Sequence, residues 1–115
     1  MNKFSGSCHC QKVQFEVETD LSGPVRCNCT FCVKRGAILQ RVSGEAFTLL
    51  TGEDDLTQYG SRSFSDHFFC KHCGVFPFTR STRRGYDEVV VNLTCLQGVD
   101  TASMQPRLFD GANLL

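Results

Sequence analysis

The chain has 115 residues, with 12 Lys and Arg against 12 Asp and Glu, no formal net charge and a pI of about 6.8. That length makes one domain, residues 1–115, and the charge balance gives no electrostatic argument for nucleic acid or a membrane surface. No apolar run approaches the roughly 18–20 residues that cross a bilayer, and residues 1–7 lack the apolar core of a secretory leader. The chain is therefore expected in the cytoplasm, where stable disulfides are rare.

Taken in order, the first predicted element covers residues 13–18. Val13, Phe15 and Val17 alternate with Gln14, Glu16 and Glu18, the period of a half-buried strand. Extending this alternation back to Cys8-His9-Cys10 would place both sulfurs on one face, because residues i and i+2 of a strand point the same way. Residues 21–24 (Leu-Ser-Gly-Pro) end the strand. Residues 33–36 read as a helical turn or tight loop, and residues 37–42 and 47–50 as strands divided by the turn Ser43-Gly44. An acidic turn at 51–55 precedes a short strand through Tyr59, and 60–63 is polar and loop-like. Residues 65–69 and the apolar Val75, Phe76 and Phe78 read as two strands joined by the Cys70–Cys73 knuckle. Gly74 suits a positive φ at that tight turn, with backbone N–H groups aimed at sulfur. Residues 80–85 form a polar turn rich in arginine, and 87–96 a strand centred on Val89, Val90 and Val91. The tail, about 98–115, has no clear period, so the core is placed at about 5–96. Short strands, Gly-rich turns and no convincing amphipathic helix predict an all-β domain.

Seven of the eight cysteines fall in clusters: Cys8 and Cys10, then Cys27, Cys29 and Cys32, then Cys70 and Cys73. Four thiolates close a tetrahedral zinc site, whereas three leave a position open. A four-thiolate site fixes a fold best when its pairs come from distant parts of the chain, which selects Cys8 and Cys10 with Cys70 and Cys73 as structural ligands. The local triplet Cys27, Cys29 and Cys32 then holds an exposed, open-sided zinc, the second of two per chain. Three alternatives stay open: Cys95 or a histidine completing the second site, iron–sulfur ligation, and a disulfide scaffold. Three thiolates on zinc leave a charge of −1, which weakens the ion toward bound water and favours an exogenous thiol as fourth occupant. The chemistry points toward making or breaking a C–S bond of a small thiol.

Lys34 and Arg35 follow the triplet and are candidates to hold the carboxylates of an anionic thiol, against the reading of a solvated turn. His67 is a candidate for catalysis or for a hydrogen-bonded strand position. His9 and His72 read as spacers between ligands, Cys95 as a small core residue or a neighbour of the open zinc, and Phe31 as core or pocket wall. Arg80, Arg83 and Arg84 read as a hydrated turn.

The segments Gly6-Ser7-Cys8-His9-Cys10, Cys27-Asn28-Cys29-Thr30-Phe31-Cys32-Val33-Lys34-Arg35-Gly36-Ala37 and Phe69-Cys70-Lys71-His72-Cys73-Gly74 resemble the glutathione-dependent formaldehyde-activating enzymes, a family that includes CENP-V-type proteins. Asn92-Leu93-Thr94-Cys95-Leu96 and Phe109-Asp110-Gly111-Ala112-Asn113 extend the likeness to residues 5–113. The resemblance implies a β-tent-like fold with two zinc ions, on the same division of ligands. It also implies condensation of formaldehyde with glutathione, classed as a carbon–sulfur lyase activity. One departure is Leu114, where family members often end on tryptophan.

The expected function is thus a zinc-dependent lyase whose partners are a small thiol and an aldehyde, with no nucleic acid and no membrane. The rivals are a non-catalytic zinc-binding interaction module and a chromatin-associated protein, the latter disfavoured by the balanced charge.

Overall fold

The computed structural model of the chain describes residues 1–60 and 63–115, so the loop expected at 60–63 lies partly outside the described residues. In chain order the strands are β1 (Asn2–Ser7), β2 (Gln14–Thr19), β3 (Val25–Cys27), β4 (Leu39–Ser43), β5 (Phe47–Thr51), β6 (Leu56–Tyr59), β7 (Ser65–Cys70), β8 (Phe78–Ser81), β9 (Glu88–Asn92) and β10 (Arg107–Phe109). Two short helices accompany them, α1 (Thr30–Arg35) and α2 (Gly111–Leu114). The mostly β domain of short antiparallel strands expected from the sequence is what forms. No helix is long and apolar enough to cross a membrane.

Two sheets divide the strands, a small one in the order β1-β2-β5 and a larger one in the order β10-β3-β4-β9-β8-β7-β6. Every pair is antiparallel except β10 with β3. The alternation around Phe15 and Val17 buries both on one face of β2. They meet Phe47 of β5 and, from the larger sheet, Phe78, Val89 and Val91. The Phe47 ring stands 5.2 Å from Phe15 and 4.6 Å from Phe78, tying the two sheets together. Each such side chain contributes on the order of 2 kcal/mol on burial, a modest total for a chain this short, so cross-links between the sheets matter.

The larger sheet has a second face. Val90 lies between Val89 and Val91, so the pleat turns it away from the core. Its antiparallel partners are Arg41 on β4 and Thr79 on β8, and Thr79 in turn opposes His67 on β7, which opposes Tyr59 on β6. Arg41, Val90, Thr79, His67 and Tyr59 therefore form one row across the sheet, on the side away from the core.

Several elements differ from the sequence reading, each for a local reason. Cys8 and Cys10 lie in the turn between β1 and β2, not on a strand. The strand expected at 87–96 ends at Asn92, whose side chain accepts the Thr94 N–H and starts a 3-10 turn over Leu93–Cys95. Arg80 belongs to β8, opposite Asp66 and Val89, instead of the turn that follows. The tail is not irregular: β10 pairs with β3, and Arg107 N–H donates to the Pro24 carbonyl at 3.0 Å.

Candidate metal centres

The two hairpin turns that carry Cys8/Cys10 and Cys70/Cys73 are built alike. In one, Cys8 N–H donates to Val13 O at 3.1 Å; in the other, Cys70 N–H donates to Val75 O at 3.0 Å, the same five-residue span. Each turn also aims a backbone N–H at its first sulfur: Val13 to Cys8 and His72 to Cys70, both at 3.4 Å. Gly74 takes φ 78°, and its N–H closes the turn onto the Cys70 carbonyl at 2.8 Å, while the N–H groups on either side of it, of His72 and Val75, face the Cys70 and Cys73 sulfurs. The two turns belong to different sheets and bring four sulfurs within 4.8 Å of one another.

This cluster fits a metal. Sulfurs placed tetrahedrally about 2.3 Å from zinc stand roughly 3.8 Å apart. The Cys8–Cys10 and Cys10–Cys70 sulfurs are 3.6 Å apart, close to that spacing and well beyond a disulfide bond. The thiols are also polarised unequally. Burial opposes the Cys73 thiolate, but N–H groups of Cys10 and Val75 outweigh it and bring that thiol down to about 6. The Lys12 N–H favours the Cys10 thiolate, yet burial and the crowded sulfurs push it up to about 11.

The second cluster is local. Cys27 ends β3, Cys29 caps α1 and Cys32 sits in its first turns, with all three sulfurs within 4.8 Å. Cys29 N–H donates to the Cys27 sulfur at 3.5 Å and Cys32 N–H to the Cys29 sulfur at 3.4 Å. Among the described residues no fourth Cys, His, Asp or Glu joins the group. The open side faces a cavity of about 90 Å³ over the outer row of the larger sheet, with Arg41, His67, Thr79, Val90 and Phe109 in its wall.

Arg35 stands against this cluster. Its guanidinium carbon lies 3.8 Å from the centre of the Phe31 ring and 3.6 Å from that of Phe76, a two-sided aromatic clamp. Nη2 donates to the Cys32 sulfur at 3.8 Å, and Nε is buried without a partner. Burial lowers the Arg35 pKa, opposed by the neighbouring sulfurs. No carboxylate pairs with it among the described residues. A buried cation needs nearby negative charge, and the three sulfurs are what lies beside it. With a divalent ion on three thiolates the local charge is −1, which Arg35 offsets. Burial and the other two sulfurs push the metal-free Cys32 thiol up to about 12, so loading the site displaces a tightly held proton.

Two all-sulfur groups of this geometry suit zinc, and the comparison with known sequences agrees with them. The sequence model of the family "Glutathione-dependent formaldehyde-activating enzyme" matches residues 3–110. The chain belongs to this family. Its fold is similar to the crystal structure of a Rhodobacter sphaeroides protein from a structural-genomics programme, with TM-score 0.83 and 30% identity, covering 91% of this chain and 99% of that one.

In this family member the tail completes the wall beside the open cluster, which sequence reasoning did not assign. Asn28, between two ligands, donates from Nδ2 to Asp110 at 3.0 Å and accepts the Ala112 N–H at 2.9 Å. Its own N–H donates to Phe109 O at 3.1 Å. Gly111 is buried directly against Cys27: a Cβ there would overlap the sulfur. The shared Asn28 and Asp110-Gly111 segments were the available signal. Leu114 is exposed, and the neighbouring Leu115 reaches the cavity wall.

The remaining candidates are dispersed. Lys34 is exposed on α1, apart from the clamped Arg35. His67 lies in the cavity wall, with Nδ1 2.8 Å from Thr79 Oγ1 and its ring edge-on to Phe31 at 4.5 Å. His72 pairs with Asp55 at 2.7 Å, and His9 is exposed. Cys95 contacts the Phe76 carbonyl at 3.5 Å; burial pushes its thiol up to about 12, with Cys8 and Cys73 adding to the rise. It therefore stands nearer the four-sulfur cluster than the three-sulfur one. Arg83 and Arg84 are not simply hydrated: Arg83 lies 5.2 Å from the Phe109 ring and Arg84 is paired to the buried Glu88.

Proposed function

We propose that this chain is a zinc-dependent enzyme of the carbon–sulfur lyase type. It makes or cleaves the adduct of a small thiol, glutathione by the family's description, with an aldehyde such as formaldehyde. The observation that carries the reading is the three-sulfur cluster with an open side facing a cavity. Zinc, when bound, supplies positive charge that acidifies an incoming thiol. Cys27, Cys29 and Cys32 hold the ion, while Cys8, Cys10, Cys70 and Cys73 hold a second, structural one.

The chain's own groups then divide the work. Arg35 offsets the excess negative charge of three thiolates, which otherwise repels a fourth. Phe31 and Phe109 wall the cavity and exclude water, which favours the thiol over hydrolysis. In the forward direction the thiol gives up its S–H proton, the sulfur bonds to the aldehyde carbon as the C=O π pair moves onto oxygen, and that oxygen takes a proton; the reverse removes the hydroxyl proton, breaks the C–S bond and returns a proton to sulfur. His67, fixed by Thr79, is the wall residue we assign to the proton on oxygen.

The test is zinc per chain by elemental analysis with and without glutathione, together with the rate of formaldehyde–glutathione exchange by NMR. Two zincs, or one rising to two with the thiol, and exchange above the uncatalysed rate support the reading. One zinc that never rises, with exchange at the background rate, would overturn it in favour of a non-catalytic zinc-binding module.

A further inference from the structure

A trough of about 750 Å³ opens beside the sulfur-lined cavity, and the two share Cys27, Leu39, Arg41, Arg83, Val90 and Phe109 in their walls. Arg84 and Arg107 also line it, so four of the 12 Lys and Arg face one cleft in a chain without net charge. Two carboxylates lie on its wall, Glu18 and Asp20, and neither pairs with these arginines among the described residues. Asp20 is instead turned onto Ser22, accepting its N–H at 2.9 Å and its hydroxyl at 2.6 Å.

The arginines are held in place from behind. Glu88, 4% exposed, accepts Arg41 Nη1 and Arg84 Nε on one oxygen, both at 3.0 Å, and Arg84 Nη2 on the other at 2.7 Å. Burial alone would raise this carboxyl, but the two guanidiniums outweigh it and hold it below its usual range. One carboxylate thus fixes two guanidiniums and neutralises only one, leaving positive charge and free N–H donors. Arg83, against the Phe109 ring, sits where trough and cavity join. Donors already fixed in place bind an anion with little ordering cost.

Size separates the two spaces. A cavity of about 90 Å³ has the liquid volume of about three waters. That matches a thiol, its methylene and a one-carbon aldehyde, so the rest of a tripeptide would extend out of it. The trough falls within the roughly 300–1,000 Å³ of small-molecule sites.

We propose that the trough binds the carboxylates of a peptide-like thiol through Arg83 and Arg107, with Arg41 and Arg84 set by Glu88, while the thiol enters the sulfur-lined cavity. The inference rests on the thiol reading above and moves the carboxylate site from Lys34 and Arg35 to the arginines of the trough.

Calorimetric titration of the zinc-loaded chain tests it with glutathione, its dimethyl ester, which keeps the thiol and neutralises both carboxylates, and S-methylglutathione, which keeps the carboxylates and blocks the thiol. Glutathione should bind at least 10-fold tighter than the ester. The exposed pair Arg83→Gln with Arg107→Gln should weaken glutathione and S-methylglutathione at least 10-fold and leave the ester within twofold. If the ester binds wild type as tightly as glutathione, or the double variant weakens both equally, the trough is not the carboxylate site, although the thiol reading stands. If S-methylglutathione binds as glutathione does, and Cys29→Ser, which empties the open site and keeps the fold, changes neither, the thiol reading fails while the arginine site survives. If none of the three binds, both fall.

Discussion

The two cysteine clusters use the same ligand type at similar sulfur spacing, yet they sit in the chain in opposite ways. The four-sulfur cluster draws its pairs from turns 60 residues apart, one in each sheet, and so ties those sheets together. The three-sulfur cluster comes from one β3–α1 corner and joins nothing distant by itself. Its surroundings are chemical instead: a clamped arginine, a histidine fixed by a threonine, and an adjoining trough of arginines. On the proposed reading, what separates a structural from a reactive metal site is the sequence distance its ligands span and whether protein closes the last position.

Removing a ligand from each cluster should break this contrast most visibly. Cys70→Ser deletes a fully buried sulfur of the closed site. A structural zinc contributes about 10–16 kcal/mol to folding, as large as the roughly 5–15 kcal/mol net stability of a typical domain. The variant should lack a cooperative thermal transition by circular dichroism, as should wild type in excess chelator. A sharp melt would show that the sheets hold without the metal. Cys29→Ser should behave otherwise: the fold stays, with Tm within about 5 °C of wild type, zinc falls by one per chain and exchange drops to background. If it unfolds like Cys70→Ser, the two clusters share a structural role.

That contrast was legible in the sequence because both ligand sets are defined by short spacings. The C-x-x-C pair, the C-x-C pair and the triplet identify themselves without a fold, and the pairing of distant doublets follows from what a closed site must do. The walls of the open site were hidden because they depend on register. Val89-Val90-Val91 reads as one apolar run; only pairing with β4 and β8 shows that its middle residue turns outward beside Arg41 and Thr79. β10 carries just three residues, Arg107–Phe109, and takes strand form through β3. The C-x-C alternation argument failed for a related reason. The sulfurs of Cys8 and Cys10 converge through a turn, with Gln11 at φ 66°, that local periodicity does not encode.

Arg35 sharpens the comparison, since among the described residues no such cation is clamped against a sulfur of the closed cluster. Arg35→Gln removes the charge that offsets three thiolates and should weaken metal at the open site by about 10–100-fold, the usual range for a group next to a ligand. Competition with a chromophoric chelator would register this for the weaker of the two zincs and leave the tighter unchanged. Arg35→Lys keeps the charge but cannot fill the flat space between Phe31 and Phe76, so it should fall between the two. Equal metal affinity in all three proteins would remove Arg35 from the site's charge balance.

The smallest expected effect concerns the tail, which only the open cluster needs. Asn28→Ala deletes the two side-chain hydrogen bonds to Asp110 and Ala112. Each is worth about 1 kcal/mol, so the tail should open locally about 30-fold more often while the global melt hardly moves. Amide hydrogen exchange reads this directly: Ala112, whose N–H donates to Asn28, and Leu115, whose N–H donates to Gly111, should exchange faster, whereas Val91 should not. Acid supplies an independent handle. Hydrogen bonds from Asn113, then Asn28, hold the Asp110 carboxyl below its ordinary 3.8. A depressed carboxyl contributes its stability above the ordinary value and loses it as pH falls through the lowered one. In wild type the tail's protection should therefore stay level down to about that ordinary value and fall only below it. Asn28→Ala, which keeps the Asn113 contact, brings the lowered value back toward the ordinary one, so it should lose less protection over the same acid range. If Ala112 exchanges at the wild-type rate in the variant, Asn28 does not tie the tail down, and the Gly111–Cys27 contact alone must hold the wall in place.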